Sequence, residues 1–423
     1  MKKEFPQIPV DNAGKIYPCI IRSNYSPQFR LCATMTEDIN ENALRSAVSA
    51  LRERFPYIYA KLRIGKNWDM LEHTKVMPEI RYGIHPMFSD FNVFDNDAPL
   101  FRVLYEEKTI AIEIFHSITD GTGGMVYFKT LIAYYLDYCG HKTQKDNGAL
   151  NANDKVTKEE IEDSFQKLYN KKKCAKRASP TAYQAKFDDK RKDNTCVTKL
   201  SLDVTELKEM ISKNYNCTVT QYLLAVYFNT FIKIQNKKKS LYKAPIVISA
   251  PINLRNVFES CTQRNFAMIC NITVKNKKQP LTFDEILEKV IEEQQKGIDK
   301  DYLRSLVSRN LKDEKQWIAA ITSMRLKRPI MKKAIDYYGE KKNTSQLSNL
   351  GYVKLPTGAE NYVEELGFSI NPQLLNSHIC SVVATKNILN IIFSSKYDDR
   401  TLPEMFKNIL EEDGLKVNAV IFD

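Results

Sequence analysis

The stretch Ile110-Ala-Ile-Glu-Ile-Phe-His-Ser-Ile-Thr-Asp-Gly-Thr-Gly-Gly124 constrains this chain more than any other. Ile110, Ile112 and Ile114 alternate with Ala111, Glu113 and Phe115, the period-two pattern of a half-buried strand. That strand ends at His116. Asp120 and Gly121 follow, then a glycine-rich turn with Gly123 and Gly124, then an apolar helix expected to begin near Met125. A histidine at a strand end with an aspartate four residues on can serve as a general base, because its unperturbed pKa lies nearest neutrality. The glycines admit backbone conformations that a side chain forbids, and so permit a substrate to approach closely. Spacing alone does not establish catalysis. Five histidines and many aspartates make one chance His-x-x-x-Asp unsurprising.

Context adds weight. Placed between a strand and a helix, His116-Ser-Ile-Thr-Asp120-Gly121 resembles the His-x-x-x-Asp-Gly signature of the chloramphenicol-acetyltransferase-like superfamily. That group includes coenzyme-A-dependent acyltransferases and the condensation domains of nonribosomal peptide synthetases. Pro251-Ile-Asn-Leu-Arg255, with Arg264-Asn-Phe266 after it, resembles the arginine-bearing segment of the second half. Ser348-Asn-Leu-Gly351 with Leu355-Pro356 is similar to the carboxy-terminal segment of the alcohol O-acetyltransferase branch. Order and spacing fit over nearly the whole chain. One departure is Phe115, where many members carry a second histidine. The resemblance implies an α/β fold of two similar two-layer α+β sandwiches with the active site at their interface. The expected division is an amino-terminal subdomain over 1–150, a charged crossover over 151–194 and a carboxy-terminal subdomain over 195–423.

Length and composition agree with such a fold. A chain of 423 residues is too long for one small core and suits two ordinary domains. Nine cysteines, an odd number with no Cys-x-x-Cys pair, give neither zinc-ligand spacing nor a disulfide framework. Free thiols in a reducing cytosol are expected. No apolar run reaches about eighteen residues, so no membrane-spanning helix is expected. The start, Met1-Lys-Lys-Glu-Phe-Pro, lacks the apolar core of a signal peptide. A cytoplasmic protein is the reading. The net charge of +12 is carried largely by short lysine runs such as Lys171–Lys173 and Lys237–Lys239, with few interleaved arginines or aromatics and no nucleic-acid motif. Nucleic acid is therefore not expected as a partner. Coenzyme A phosphates or an acidic carrier protein fit better.

Along the chain, Ile16–Arg22 and Phe29–Thr36 read as strands. A helix capped by Asn40 and stopped by Pro56 follows, then candidate strands Ile58–Ile64 and Glu79–Tyr82. Leu100–Tyr105 and Thr109–Phe115 read as a hairpin. One helix, Lys158–Tyr169, interrupts the lysine-rich crossover, which also contains Ser179-Pro180. The second half reads as strand Thr195–Leu202, helices up to Lys213 and over Val219–Ile234, and strands Pro245–Pro251 and Ala267–Val274. Helices over Phe283–Tyr338 follow. Strands Thr344–Leu350, Tyr362–Ser369, Ile379–Thr385 and Ile388–Ser395 precede a last helix, Leu402–Glu411. Trp68 reads as packing rather than ligand stacking. His73, His85, His141 and His378 lack partners in the sequence and read as surface residues.

The reaction implied is acyl transfer from a thioester to an alcohol or amine. His116 would take the acceptor's proton. A hydroxyl or amide aimed at the thioester oxygen would stabilise its developing charge. By resemblance Ser348 is that hydroxyl, and the Gly121–Gly124 turn offers amides; the alternative for Ser348 is a strand-end hydroxyl bonded to backbone. Asp120 has two possible tasks: contacting His116 as in a hydrolase triad, or, as the resemblance implies, pairing with Arg255. Gly121, Gly123, Gly124, Asn253, Asn265 and Asn349 are the candidate tunnel residues. No bound cofactor and no metal is expected, with acyl-coenzyme A as donor substrate. A stand-alone condensation-type enzyme using a carrier-protein thioester, and a noncatalytic binding member of the fold, are the alternatives.

Overall fold

A computed structural model describes residues 7–94, 97–175, 180–185, 191–237, 244–276, 281–318, 323–338, 340–372 and 378–422. The start of the chain, Ser179 of the crossover, and Lys238 and Lys239 of the second lysine run lie outside the described residues. The first part comprises β1 (Ile8–Pro9), a 3-10 turn at Gly14–Cys19, β2 (Gln28–Met35), α1 (Glu41–Ala50) and β3 (Ala60–Arg63). It continues with β4 (Met70–His73), β5 (Glu79–Tyr82), β6 (Phe101–Glu106), β7 (Thr109–Phe115) and α2 (Gly121–Tyr138). The crossover holds α3 (Lys158–Ile161) and a 3-10 turn at Ser164–Leu168. Next come β8 (Arg191–Asp203), α4 (Val204–Asn214), α5 (Val219–Lys237), β9 (Ile246–Asn253), α6 (Arg255–Phe258) and β10 (Ala267–Val274). The chain ends with α7 (Phe283–Gly297), α8 (Lys300–Asp313), α9 (Met324–Tyr338), β11 (Ser345–Tyr352), β12 (Val363–Ile370), β13 (His378–Thr385), β14 (Ile388–Tyr397), α10 (Thr401–Glu412) and β15 (Asn418–Phe422).

Among the described residues the strands form three sheets. Five strands run in the order β12-β2-β7-β6-β5, seven in the order β10-β9-β11-β13-β14-β8-β15, and a small sheet is β1-β4-β3. Helices α1 and α2 pack on the five-stranded sheet, with Leu44, Val48, Tyr127, Phe128 and Leu131 buried against Ile112 and Ile114. Helices α4, α5, α7 and α10 cover the seven-stranded sheet through Leu207, Phe228, Val290 and Phe406. Each such large apolar side chain, once buried, contributes roughly 1.5–3 kcal/mol. Two α/β layers with separate cores result.

The division at 151–194 does not follow sheet membership. β12 leaves the carboxy-terminal half and joins the amino-terminal sheet, pairing antiparallel with β2 from Val363 opposite Met35 to Ile370 opposite Phe29. β8 begins at Arg191, inside the expected crossover. Other local expectations also give way to long-range contacts. Ile16–Arg22 is not a strand: Asp11 Oδ1 accepts from the Gly14 amide at 2.6 Å, and Pro18 inside the 3-10 turn has no N–H for a ladder. The helix expected over Lys158–Tyr169 breaks at Glu162–Asp163, where the Glu162 carbonyl accepts from Thr262 Oγ1 at 2.8 Å and Asp163 Oδ2 from the Asn12 amide at 3.1 Å. Strands β4 and β15 were not expected; β15 is an exposed edge with little apolar alternation to mark it.

Three histidines are less superficial than their sequence surroundings imply. His378 is buried, with Nε2 2.9 Å from Ser395 Oγ. His141 is half-buried, stacked on Tyr362 at 3.8 Å between ring centres, and His73 is half-buried too. His85 is exposed. Trp68 lies between the Lys15 and Lys327 ammoniums, 5.0 and 4.5 Å from its ring centre.

Candidate active site

The Asp120 side chain starts α2. Its Oδ1 accepts from the Gly123 amide at 3.0 Å, and the Gly124 amide bonds the Asp120 carbonyl. Gly121, Gly123 and Gly124 are thus the first helical turn, not a turn preceding a helix near Met125. Glycine is a poor helix former, and the cap with tertiary packing overrides that preference. The reason for glycine is close contact within the protein. A Cβ on Gly123 would lie 2.1 Å from the Gln263 carbonyl oxygen, one on Gly121 2.8 Å from Leu350, and one on Gly124 2.8 Å from the Phe29 ring. These glycines admit neighbouring elements rather than substrate. The Gly123 and Gly124 amides are already engaged, so they are not available to an oxyanion.

Asp120 and Arg255 form a two-pronged ion pair, Nη1 to Oδ2 at 2.9 Å and Nη2 to Oδ1 at 3.1 Å. The Phe266 amide adds a bond to Oδ2 at 2.8 Å. Arg255 in turn donates to the Thr262 and Arg264 carbonyls and to Asn253 Oδ1. Burial would raise the Asp120 carboxyl. Arg255 and the two amides outweigh it and hold the group below the usual carboxylate range. Asn253 is occupied in steadying Arg255, and Asn349 bonds Thr220 Oγ1 and the Gly351 amide.

His116 follows the last residue of β7 and is half-buried, with Tyr17 stacked on it at 4.3 Å between centres and Phe29 edge-on at 5.2 Å. Its Nδ1 is 3.2 Å from Asn265 Oδ1. Asn265 is therefore in direct contact with His116. Nε2 has no hydrogen-bond partner among the described residues. Burial pulls the imidazole below its ordinary value; the bond to its own backbone carbonyl, the Asp120 charge and Asn265 oppose that incompletely. Asp120 is not the partner of His116, because its oxygens are turned to Arg255, Phe266 and Gly123.

Ser348 lies in β11, nearly buried, and its hydroxyl has no hydrogen-bond partner among the described residues. Leu350, two residues on, packs at Gly121, so the end of β11 reaches the start of α2. Sequence reasoning missed Asp11 and Tyr17. Asp11 sits in Val10-Asp11-Asn12-Ala13-Gly14, a stretch indistinguishable in sequence from a surface turn. Among the described residues no group of three or more His, Cys, Asp or Glu could hold a metal, and no helix is long and apolar enough to cross a membrane.

Known proteins share this arrangement of elements. The chain is similar to TRI101 of F. sporotrichioides complexed with coenzyme A and T-2, at TM-score 0.61 and 11% identity over 99% of this chain and 100% of that one. It is similar to the trichothecene 15-O-acetyltransferase TRI3 of Fusarium sporotrichioides, at TM-score 0.61 and 10% identity over 96% and 94%. The starter condensation domain of rhizomide synthetase, with C8-CoA and Leu-SNAC, aligns at TM-score 0.58 and 11% identity over 96% and 93%. At such identities these likenesses speak for the fold. No protein of curated function matches by sequence. The alcohol acetyltransferase profile matches residues 161–411, a span that contains Arg255, Asn265 and Ser348 and follows His116 and Asp120. Matched by that profile over more than half its length, the chain belongs to the alcohol acetyltransferase family.

Proposed function

We infer that this protein moves an acyl group, acetyl in the first instance, from coenzyme A to the hydroxyl of a small alcohol, with His116 as general base. The observation that carries the reading is the unpartnered Nε2 of His116 at the junction of the two halves, beside a fully bonded Asp120–Arg255 pair. His116 takes the acceptor's O–H proton as its oxygen attacks the thioester carbonyl carbon. The carbonyl π electrons move onto oxygen, where the free Ser348 hydroxyl supplies a hydrogen bond. Collapse expels the coenzyme A thiolate, which recovers the proton from the imidazolium. Ester and free thiol are the products, and no group on the enzyme is consumed.

Asp120 and Arg255 hold the two halves in register, and the chemistry needs neither. The test is thiol release from acetyl-coenzyme A with a mixed pool of alcohols and amines, comparing the wild type with His116→Ala. Acceptor-dependent release that disappears in the variant supports the reading. Transfer only from a phosphopantetheinyl protein favours a condensation-type donor, and none from either donor leaves a binding member of the fold.

A further inference from the structure

Asp11 is completely buried between β1 and the 3-10 turn at Gly14–Cys19. Its Oδ1 accepts from the Gly14 amide at 2.6 Å. Its Oδ2 accepts from Asn265 Nδ2 at 3.1 Å and lies 3.4 Å from Arg264. The other end of the same Asn265 side chain, Oδ1, faces His116 Nδ1. An ionised carboxylate can only accept hydrogen bonds. Asn265 must therefore turn its NH2 group to Asp11 and its oxygen to the histidine. That oxygen is also only an acceptor, so His116 Nδ1 must carry the proton. In a neutral imidazole this leaves Nε2 with its lone pair free.

We propose that Asp11 is a positioning residue which, through Asn265, fixes the tautomer and orientation of His116 so that Nε2 is the base. This rests on the acyl-transfer reading for its purpose, but not for its geometry. The aspartate nearest in sequence, Asp120, cannot do this, since Arg255 and the Gly123 and Phe266 amides hold its oxygens. Two further features fit. Tyr17, six residues after Asp11, stacks on the imidazole face, so one segment sets both the tautomer and the plane of the ring. Burial pushes the Asp11 carboxyl up to about 6, with Arg264 opposing and Asp163 reinforcing, so the accepting form prevails at neutral pH and above.

The experiment reads the tautomer directly. Long-range proton–nitrogen NMR on the full chain, labelled with nitrogen-15 at histidine and measured above neutrality, reports which ring nitrogen carries the proton; loss of one signal set in His116→Gln assigns it. The wild type should show Nδ1 protonated and Nε2 bare. In Asp11→Asn the new amide can offer an N–H to Asn265 and let it flip, so part of His116 should shift to the Nε2–H form. Turnover should fall by about 10- to 100-fold, with the KM for acyl-coenzyme A within about threefold of wild type. Asn265→Ala leaves Asp11 with Arg264 and should show the same shift of tautomer; it decides the matter if Asp11→Asn does not fold. An unchanged tautomer in the folded variants overturns the proposal, even if His116→Ala abolishes transfer. A shifted tautomer upholds it, even if no acyl transfer is found and the wider reading fails.

Discussion

Asp120 and His116 lie four residues apart and are bonded in opposite ways. Around Asp120, four donors from Gly123, Phe266 and Arg255 meet two carboxylate oxygens, and Arg255 spends its remaining N–H groups on backbone carbonyls and Asn253. At His116 one nitrogen is tied to Asn265 while the other has no partner among the described residues. Ser348, in the other half, likewise has a hydroxyl without a partner among the described residues. A buried polar group without a partner is costly, so proteins keep few of them. On the proposed reading, the incomplete groups beside the saturated pair are the ones that meet substrate. The contrast separates atoms bonded within the protein from atoms without a partner among the described residues.

The sharpest way to break this comparison is His116→Ala. Turnover should drop by about 10²- to 10⁴-fold while the melting curve keeps the wild-type midpoint, read by thiol release and circular dichroism. A large loss of stability would move His116 to the structural side. Asp120→Ala should behave in the opposite way, costing about 3–5 kcal/mol in denaturant unfolding because Arg255 is left buried and unpaired. Adding Arg255→Met should recover much of that loss, a coupling that a double-mutant cycle measures. The pH dependence follows in sign. The folded Asp120 carboxyl lies below its ordinary 3.8, so its stabilisation is full above that value and disappears as pH falls through the folded one. Wild type should therefore lose its advantage over Asp120→Ala in strong acid.

Ser348→Ala sharpens the reactive side, with an expected loss of about 10²- to 10³-fold in kcat, little change in KM and unchanged melting. The smallest effect is expected at His378, which no part of the proposed chemistry uses. Burial pulls its imidazole from 6.5 to about 4. The unfolded chain then binds the extra proton between those values, so stability should rise with pH across that window and be flat below it. His378→Gln should flatten that part of the pH–stability curve without altering turnover.

The hairpin of β6 and β7, the cap at Asn40 and the strand β10 are all legible locally, because each depends on side-chain period or on a cap within three residues. The segment from His116 to Gly121, Arg255 and Ser348 were legible as a family resemblance, and the ion pair between Asp120 and Arg255 lies where that resemblance implied. Asn265 was legible as a candidate, but not its contacts with His116 and Asp11. Asn253 and Asn349 share the polar look of ligand groups, yet their bonds turn into the protein.

The amino-acid sequence by itself determined the mixed α/β character, most element positions and the segment that carries His116 and Asp120, since periodicity, capping and a short motif act over a few residues. Tertiary structure decided that β12 crosses to the first sheet, that the glycines of α2 admit Gln263, Leu350 and Phe29, and that Asp11 rather than Asp120 is linked to His116, through Asn265. The physical reason is common to all three. A buried polar atom or a missing Cβ acquires its meaning from the partner the fold brings to it, and those partners are distant in the chain.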